Sequence, residues 1–435
     1  MRSIRDIHPV PGLILRAVDN ANNTSSNRKA MLVLGAAIGM SAGFSTLYFS
    51  TLGIFLKPIA TTFGWGRAQL SATALIAMLA VAIAAPMIGK LICRFGPFRI
   101  IAGSIFLFSA GLFGMSQLNS SLLALGVLSF FTGFFGAATT PLGYLSAFPQ
   151  HFDKRLGLAL GCAMTGIGVG AAVSPIAAQA LITAYGWREA YLWLAGIALM
   201  LGAIALAINF IFTPRSRLPN LDRGNRNARM ADDSVEGETL KIALRSSHFW
   251  IIIIAVGIVS TASLGAFVHL SAILTDRGIS AVVAASVVSI VGVTTALGRL
   301  FSGVLMDWIS ARFVAAAGFI LVALGLAIIA WTPPGASILF LACAAALLGT
   351  GLGAEGDLIP FLVRRYFGRK AFGTLYGYVF SVYVLGGVLG PVVVGLGFDR
   401  GSSYTQSLLA MSAGCIGSAL LILLLGQYRY AGSSK

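Results

Sequence analysis

The sequence predicts an all-α polytopic membrane protein whose twelve transmembrane helices form two pseudo-symmetric six-helix bundles. Three observations predict it. The 435 residues are 57% hydrophobic with a mean hydropathy of +0.89, above the roughly 45–50% apolar content of soluble domains. Apolar runs of roughly 20 residues, enough to cross a hydrocarbon core about 30 Å thick, recur along the chain. Landmarks of the first half also return in the second. A β-barrel does not fit, because the runs are continuously apolar where a barrel strand alternates.

The spans fall, in order, at 31–56, 69–88, 100–118, 121–147, 156–183, 190–212, 249–274, 281–305, 313–332, 336–363, 372–398 and 405–427. Residues 1–30 carry Arg2, Arg5, Arg16, Arg28 and Lys29 but lack a short separate apolar core followed by a small-residue cleavage site. They read as a cytoplasmic N-terminal segment rather than a signal peptide. Residues 213–248, with Pro214, Pro219 and the run Arg223-Gly-Asn-Arg-Asn-Ala-Arg229, read as a cytoplasmic linker. It separates an N-terminal bundle over 31–212 from a C-terminal bundle over 249–427, and 428–435 form a cytoplasmic tail.

Charge fixes the expected orientation. With the N-terminus inside, 24 of the 30 Lys and Arg fall in inward-facing segments and five in outward loops, which is the positive-inside pattern. Both termini are therefore expected in the cytoplasm, and the membrane is expected to be a cell inner membrane. The net charge of +16 then records topology rather than a nucleic-acid surface. Cys93, Cys162, Cys343 and Cys415 stand singly and read as packing residues, neither a disulfide framework nor a metal site. No phosphate-binding loop, nucleophile-base pair or cofactor motif is evident, so neither an enzyme nor an ATP-driven pump is expected.

The internal repeat is specific. Phe152-Asp-Lys-Arg-Leu-Gly157-x-x-x-Gly161 returns as Phe367-Gly-Arg-Lys-Ala-Phe-Gly373-x-x-x-Gly377, and Gly170 and Pro175 return 216 residues later as Gly386 and Pro391. Gly89 and Leu91 return as Gly303 and Leu305 at an offset of 214. Duplicated bundles of this kind hold substrate near mid-membrane between the repeats and expose it to each side in turn.

These residues resemble the major facilitator superfamily over essentially the whole chain. Gly89-Lys-Leu-Ile-Cys93-Arg94-Phe-Gly96-Pro-Phe-Arg99 is similar to its signature loop, with Cys93 where an aspartate is usual. The second copy, Gly303-Val-Leu-Met-Asp307-Trp-Ile-Ser-Ala-Arg312, keeps the aspartate but has Trp308 where the arginine usually follows. The resemblance implies that Arg94, Asp307 and Arg312 gate the closed state, whereas the residues alone also fit topology determinants at helix ends. Tyr48-Phe-Ser50-Thr-Leu-Gly53-Ile-Phe55-Leu-Lys-Pro58 and the glycine-rich fifth span resemble the monocarboxylate-porter and oxalate/formate-antiporter-like branch. The Gly-Pro pair that drug/proton antiporters usually carry in the fifth span is missing here. A lysine of the animal porters falls at Ser50, their span-eight acid at Thr295, and the second cation of the oxalate antiporter at Val384 or Leu385. A dicarboxylate held between two cations is therefore not implied; one arginine suits one negative charge.

Away from their ends, the spans contain only three ionised side chains: Arg299, Glu355 and Asp357. Each costs at least about 2.5–3.5 kcal/mol on insertion scales. Arg299 reads either as a carboxylate anchor, since guanidinium holds a carboxylate through two parallel hydrogen bonds, or as the partner of Glu355 or Asp357. The resemblance favours the anchor, because a span-eight arginine binds carboxylate in that branch. Glu355 and Asp357 are two residues apart and so point about 200° from each other on a regular helix. Pro360 and Gly356 predict a kink or break there, matched by Pro141 in the first half. One acid, with Glu355 the first choice, is read as a proton site whose hold on its proton changes as substrate competes for Arg299; the other reading is that both only neutralise it. Tyr48, Ser50 and Tyr383, with Tyr376 and Tyr378 as weaker candidates, could present hydroxyls to the anion, and His269 could serve an outer gate.

The expectation is a secondary transporter, functional as a monomer, that imports a small organic anion, most simply a monocarboxylate, with protons. An exporter of small amphiphilic compounds and a non-transporting membrane sensor are the alternatives. Lipid is the expected surroundings, and neither nucleic acid, metal nor cofactor is an expected partner.

Overall fold

The protein is represented by a computed structural model that describes residues 27–65, 67–152, 155–213, 236–333, 336–401 and 403–430. The expectations for residues 1–26, for most of the linker and for 431–435 lie outside the described residues. Within them, twelve helices are long and apolar enough to cross a membrane. They are α1 (Asn27–Leu56), α2 (Arg67–Phe95), α3 (Pro97–Ser116), α4 (Leu122–His151), α5 (Leu156–Tyr185) and α6 (Trp187–Phe212), followed by α7 (Ser247–Thr275), α8 (Ala281–Trp308), α9 (Ala311–Ala330), α10 (Ile338–Phe367), α11 (Phe372–Gly401) and α12 (Thr405–Leu423).

Local chemistry explains several boundaries. α4, α8 and α10 start beneath serine caps, the hydroxyls of Ser121, Ser280 and Ser337 accepting from the amides of Ala124, Val283 and Phe340; such caps satisfy amides that the first turn leaves free. Gly96 and Gly186, at φ 83° and 88°, turn the chain between α2 and α3 and between α5 and α6, a backbone region that a Cβ disfavours.

Two spans of the first half are interrupted. α1 contains a π-helical stretch, Phe44–Phe49, before it resumes as Leu52–Phe63. α4 is α-helical over Leu122–Gly136, tightens to a 3₁₀ turn at Ala137–Thr139 and restarts at Pro141, with Thr140 extended at ψ 178°. The breaks face each other. The amide of Phe44 donates to Oγ1 of Thr139 at 2.9 Å, and the Thr139 and Thr140 hydroxyls donate to the carbonyls of Gly136 and Ala137. Local hydroxyls thus occupy backbone groups that the helix ladder gives up.

The break expected at Pro360 is not there. α10 is α-helical from Ile338 to Phe367 with Pro360 inside it. The residues before this proline, Leu358 and Ile359, are buried and have no hydroxyl, so opening the helix would leave backbone polar groups unpaired in an apolar setting. Proline is shared by the two halves; the threonines that make its break tolerable are not.

The halves meet along two seams, α2 against α11 and α5 against α8. Both lie toward the side that bears the linker, and the repeated glycines form them. A Cβ on Gly89 would stand 2.2 Å from the Gly373 carbonyl, and one on Gly157 would stand 2.2 Å from that of Gly303. One turn deeper, Gly377 meets the carbonyl of Ala85, and Gly161 meets that of Arg299. The seams correspond under the repeat, with Arg299 where the first half has Ala85 and Asp307 where it has Cys93, each 214 residues on.

The second half is tied together on the linker side. The end of the linker pairs with the loop before α11 through the Gly237–Gly368 bridge, the Arg369 amide donating to Glu236 and the Glu238 amide to Phe367. Arg429 bonds Glu238 at 2.8 Å, Tyr366 donates to Gly426, and Arg312 donates to Leu425.

Candidate substrate site

Two of the three intramembrane charges, Arg299 and Asp357, meet at the α5–α8 seam. Arg299 projects from α8 and donates from Nη1 to the backbone carbonyl of Met164 on α5 at 3.1 Å. Its Nε is buried without a hydrogen-bond partner. Asp357, on α10, is 0% exposed, and neither carboxylate oxygen has a hydrogen bond. It lies within electrostatic reach of Arg299, Cys162 on α5 and Tyr376 on α11. A Cβ on Gly161 would be 3.6 Å from Oδ2 of Asp357, so that carboxylate faces the opposite half directly.

Glu355 takes the other direction, as a regular helix requires of residues two apart. It is 1% exposed, accepts at Oε2 from the Ser263 hydroxyl of α7 at 2.9 Å, and leaves Oε1 unpaired. Cys415 on α12 senses its charge. Tyr383 on α11 is within electrostatic reach of Glu355, Arg299 and Asp357. Among the described residues, Arg299 makes no ion pair within 4 Å with either acid. A simple neutralising pair, one of the two readings of the sequence, is therefore not formed in this conformation.

The other expected site residues separate. Tyr48 is buried inside the first half, stacked on Phe44 at 5.3 Å and placed beside Ser129 and Tyr191, so it does not reach Arg299. The Ser50 hydroxyl turns back to the Thr46 carbonyl. His269 donates from Nε2 to the Pro391 carbonyl at 3.0 Å, since a carbonyl only accepts. Gly356 has Met164 of the first half nearby, a Cβ there lying 3.3 Å from its methyl, so the Gly356–Pro360 turn lies against the seam even though the helix is unbroken.

The three residues linked with gating diverge too. Asp307 crosses between halves, its carboxylate accepting from the amides of Gly157 and Leu158 at 2.8 and 2.9 Å at the start of α5. A carboxylate there satisfies two free amides and meets the positive end of the helix dipole. Arg312, by contrast, anchors the chain after α12 within its own half, and the guanidinium of Arg94 sits over the adjacent Phe95 ring at 5.1 Å. At the Asp307-equivalent point of the other seam, Cys93 meets the Thr374 hydroxyl at 3.6 Å. Cys93 and Cys343 are exposed and Cys415 is buried, so packing describes only part of the cysteine set.

Sequence reasoning underweighted Tyr376 and missed Ser263, Cys162 and the Met164 carbonyl. The repeated Gly161 carried a signal for the α5 contact. Ser263 carried none, since one buried serine among several on α7 looks like another. A separate pocket lined by Phe98, Tyr144, His151 and Asn209 lies within the first half and includes none of the Arg299 cluster.

Residues 38–391 match the Major Facilitator Superfamily. The chain belongs to that superfamily. The transporter is 27% identical to mouse monocarboxylate transporter 11 over 420 residues, covering 92% of this chain and 86% of the relative. It is 26% identical to bovine monocarboxylate transporter 13, covering 91% and 88%. A Mycobacterium tuberculosis multidrug resistance protein B homolog matches over 168 residues at 29% identity, covering 39% of this chain and 30% of that protein. Among solved structures, the E. coli fucose:proton symporter FucP superimposes with a TM-score of 0.67 at 14% identity, covering 93% of this chain and 100% of that one. The human organic anion transporter MFSD10 gives 0.66 at 16%, covering 92% and 99%. At these identities the structural likeness concerns the fold.

Proposed function

We propose that this transporter moves a small organic anion, a monocarboxylate, across a cell inner membrane by alternating access, with protons entering alongside it. The single chain is the working unit, and both ends face the cytoplasm, a reading that the distribution of Lys and Arg supports. The observation that carries the reading is Arg299: a half-buried guanidinium at the seam, held by one backbone carbonyl and retaining a buried, unpaired Nε–H. An entering carboxylate offers that cation the bidentate partner it lacks. Tyr383 stands beside it as a hydroxyl contact. One of the two acids of α10 supplies the proton site, Asp307 clasps the linker-side gate, and the Gly356–Pro360 turn lies against the seam where the halves part. The monocarboxylate transporter names of relatives spanning most of the chain support the substrate class.

Proteoliposomes test this. An inward proton gradient should drive accumulation of a labelled monocarboxylate such as pyruvate, lactate or benzoate, and Arg299→Lys should weaken it. If no probe accumulates and the lysine variant behaves as wild type, anion symport is refuted. Export of amphiphilic compounds is the second reading, favoured by the match to the Mycobacterium multidrug resistance homolog; gradient-driven loss of a preloaded amphiphilic dye would establish it.

A further inference from the structure

We infer that Asp357, rather than Glu355, is the acid that exchanges the coupled proton, because Asp357 lies on the seam that opens and Glu355 is enclosed within one half. The inference rests on the proposed anion symport and deepens it. If the halves move as bodies, contacts within a half persist while contacts across a seam are made and broken. A proton can be coupled to that motion only at a group whose surroundings differ between the two states. Every near neighbour found for Glu355 belongs to its own half: Ser263 on α7, Tyr383 on α11 and Cys415 on α12. Rocking leaves that pocket intact.

Asp357 differs on each count. Its carboxylate abuts Gly161 and senses Cys162, both on α5 of the first half. The groups that face it are Arg299 from α8, Cys162 from α5 and Tyr376 from α11, with Tyr383 also on α11 and Glu355 on its own helix. The Tyr376 hydroxyl is buried and, like both Asp357 oxygens, has no hydrogen-bond partner in this conformation. In the closed seam, Met164 holds Arg299 from across the interface. When α5 withdraws, Arg299 loses that carbonyl and Asp357 loses its cover in the same movement. The guanidinium is then free to turn toward substrate carboxylate or toward Asp357, and a carboxylate that must release Arg299 to substrate is one that takes up a proton. Substrate and proton thereby share one cation, and opening on the linker side frees both together.

Two measurements decide it. In proteoliposomes, Asp357→Asn should abolish gradient-driven accumulation of a monocarboxylate probe while one-for-one exchange persists, and Glu355→Gln should still take up protons with the probe, read by a trapped pH dye. The reverse pattern overturns the assignment and leaves anion symport standing; a wild-type protein that accumulates no probe overturns both. The second measurement needs no substrate. Labelling of carboxyls by dicyclohexylcarbodiimide, mapped by mass spectrometry, should change severalfold at Asp357 when Asp307→Asn loosens the seam and stay constant at Glu355. A change confined to Glu355, or none at Asp357, overturns the inference.

Discussion

Asp307→Asn should shift the transporter toward the state open on the linker side, and the size of the shift follows from two hydrogen bonds. The carboxylate accepts from the amides of Gly157 and Leu158 at 2.8 and 2.9 Å across the α5–α8 seam. Hydrogen bonds to a charged group contribute roughly 1.5–3 kcal/mol, against about 1 for neutral pairs. The amide isostere keeps one carbonyl oxygen for one of the two donors and removes the charge facing the α5 dipole. Allowing for the partial exposure of Asp307, which screens the charge, the closed seam should lose about 2 kcal/mol. At 1.4 kcal/mol per factor of ten, that is a shift of roughly 30-fold in the closed-to-open ratio. Spin labels at the exposed positions Phe95 and Arg369, in the two halves on the linker side, would report it by pulsed dipolar spectroscopy. A longer-distance population should grow in Asp307→Asn. Identical distance distributions in wild type and variant, under conditions where both states are sampled, would refute the view that this clasp holds the seam.

Other consequences follow from the same geometry. Gly157→Val would place side-chain carbon about as close as the 2.2 Å at which a Cβ meets the Gly303 carbonyl, so the seam should fail to close and the same spin labels should show mainly the longer distance. Arg299→Lys should raise the apparent dissociation constant for a monocarboxylate at least tenfold, read by ligand-induced thermal stabilisation, since an ammonium cannot reproduce the two-pronged contact. Tyr48→Phe should leave that constant within about twofold, because its ring is packed inside the first half; a tenfold loss would return Tyr48 to the substrate site. Glu238→Gln should move the melting temperature by no more than the few degrees that accompany about 1 kcal/mol, since solvent reaches the pair through Arg429, 42% accessible against 12% for Glu238, and screens it.

The spans were legible because each is long and apolar, several are bounded by serine caps or glycine turns, and the bilayer sets their length. The seams were legible as well, though as a repeat whose purpose the sequence did not state: Gly157 and Gly161 recur as Gly373 and Gly377 because α5 and α11 approach the opposite half in the same way. Helix irregularity was harder to read. Pro141 and Pro360 are equivalent in the repeat, yet only the first accompanies a break, since Thr139 and Thr140 supply hydroxyls for the freed backbone and Leu358 and Ile359 cannot. Side-chain direction was legible where the helix is regular, which is why Glu355 and Asp357 diverge as spacing demands. The direction of Tyr48 was hard to read for the complementary reason: it lies inside the π-helical stretch Phe44–Phe49, where a regular 100° step no longer says which face a residue occupies.

The two seams share a shape and differ in chemistry, and that difference bears on the substrate. At α2–α11 the contacts at the depth of Arg299 are neutral: Ser381 donates to the Ala82 carbonyl and Ala85 lies where the other seam has its arginine, while nearer the linker side Thr374 meets Cys93 and Lys90 lies over the Tyr378 ring at 5.8 Å. At α5–α8, Arg299 and Asp307 occupy the equivalent positions, and Asp357 comes in from α10. Each charge in the bilayer is costly, so a transporter of a doubly charged anion would have reason to place a cation on both seams. Here, among the described residues, one seam has no cation at the depth of Arg299, and its contacts there are neutral. The other concentrates a single cation and its acid at the place where that turning opens a path. One guanidinium can release one backbone carbonyl and receive one carboxylate, so the asymmetry of the seams fits the singly charged anion proposed above.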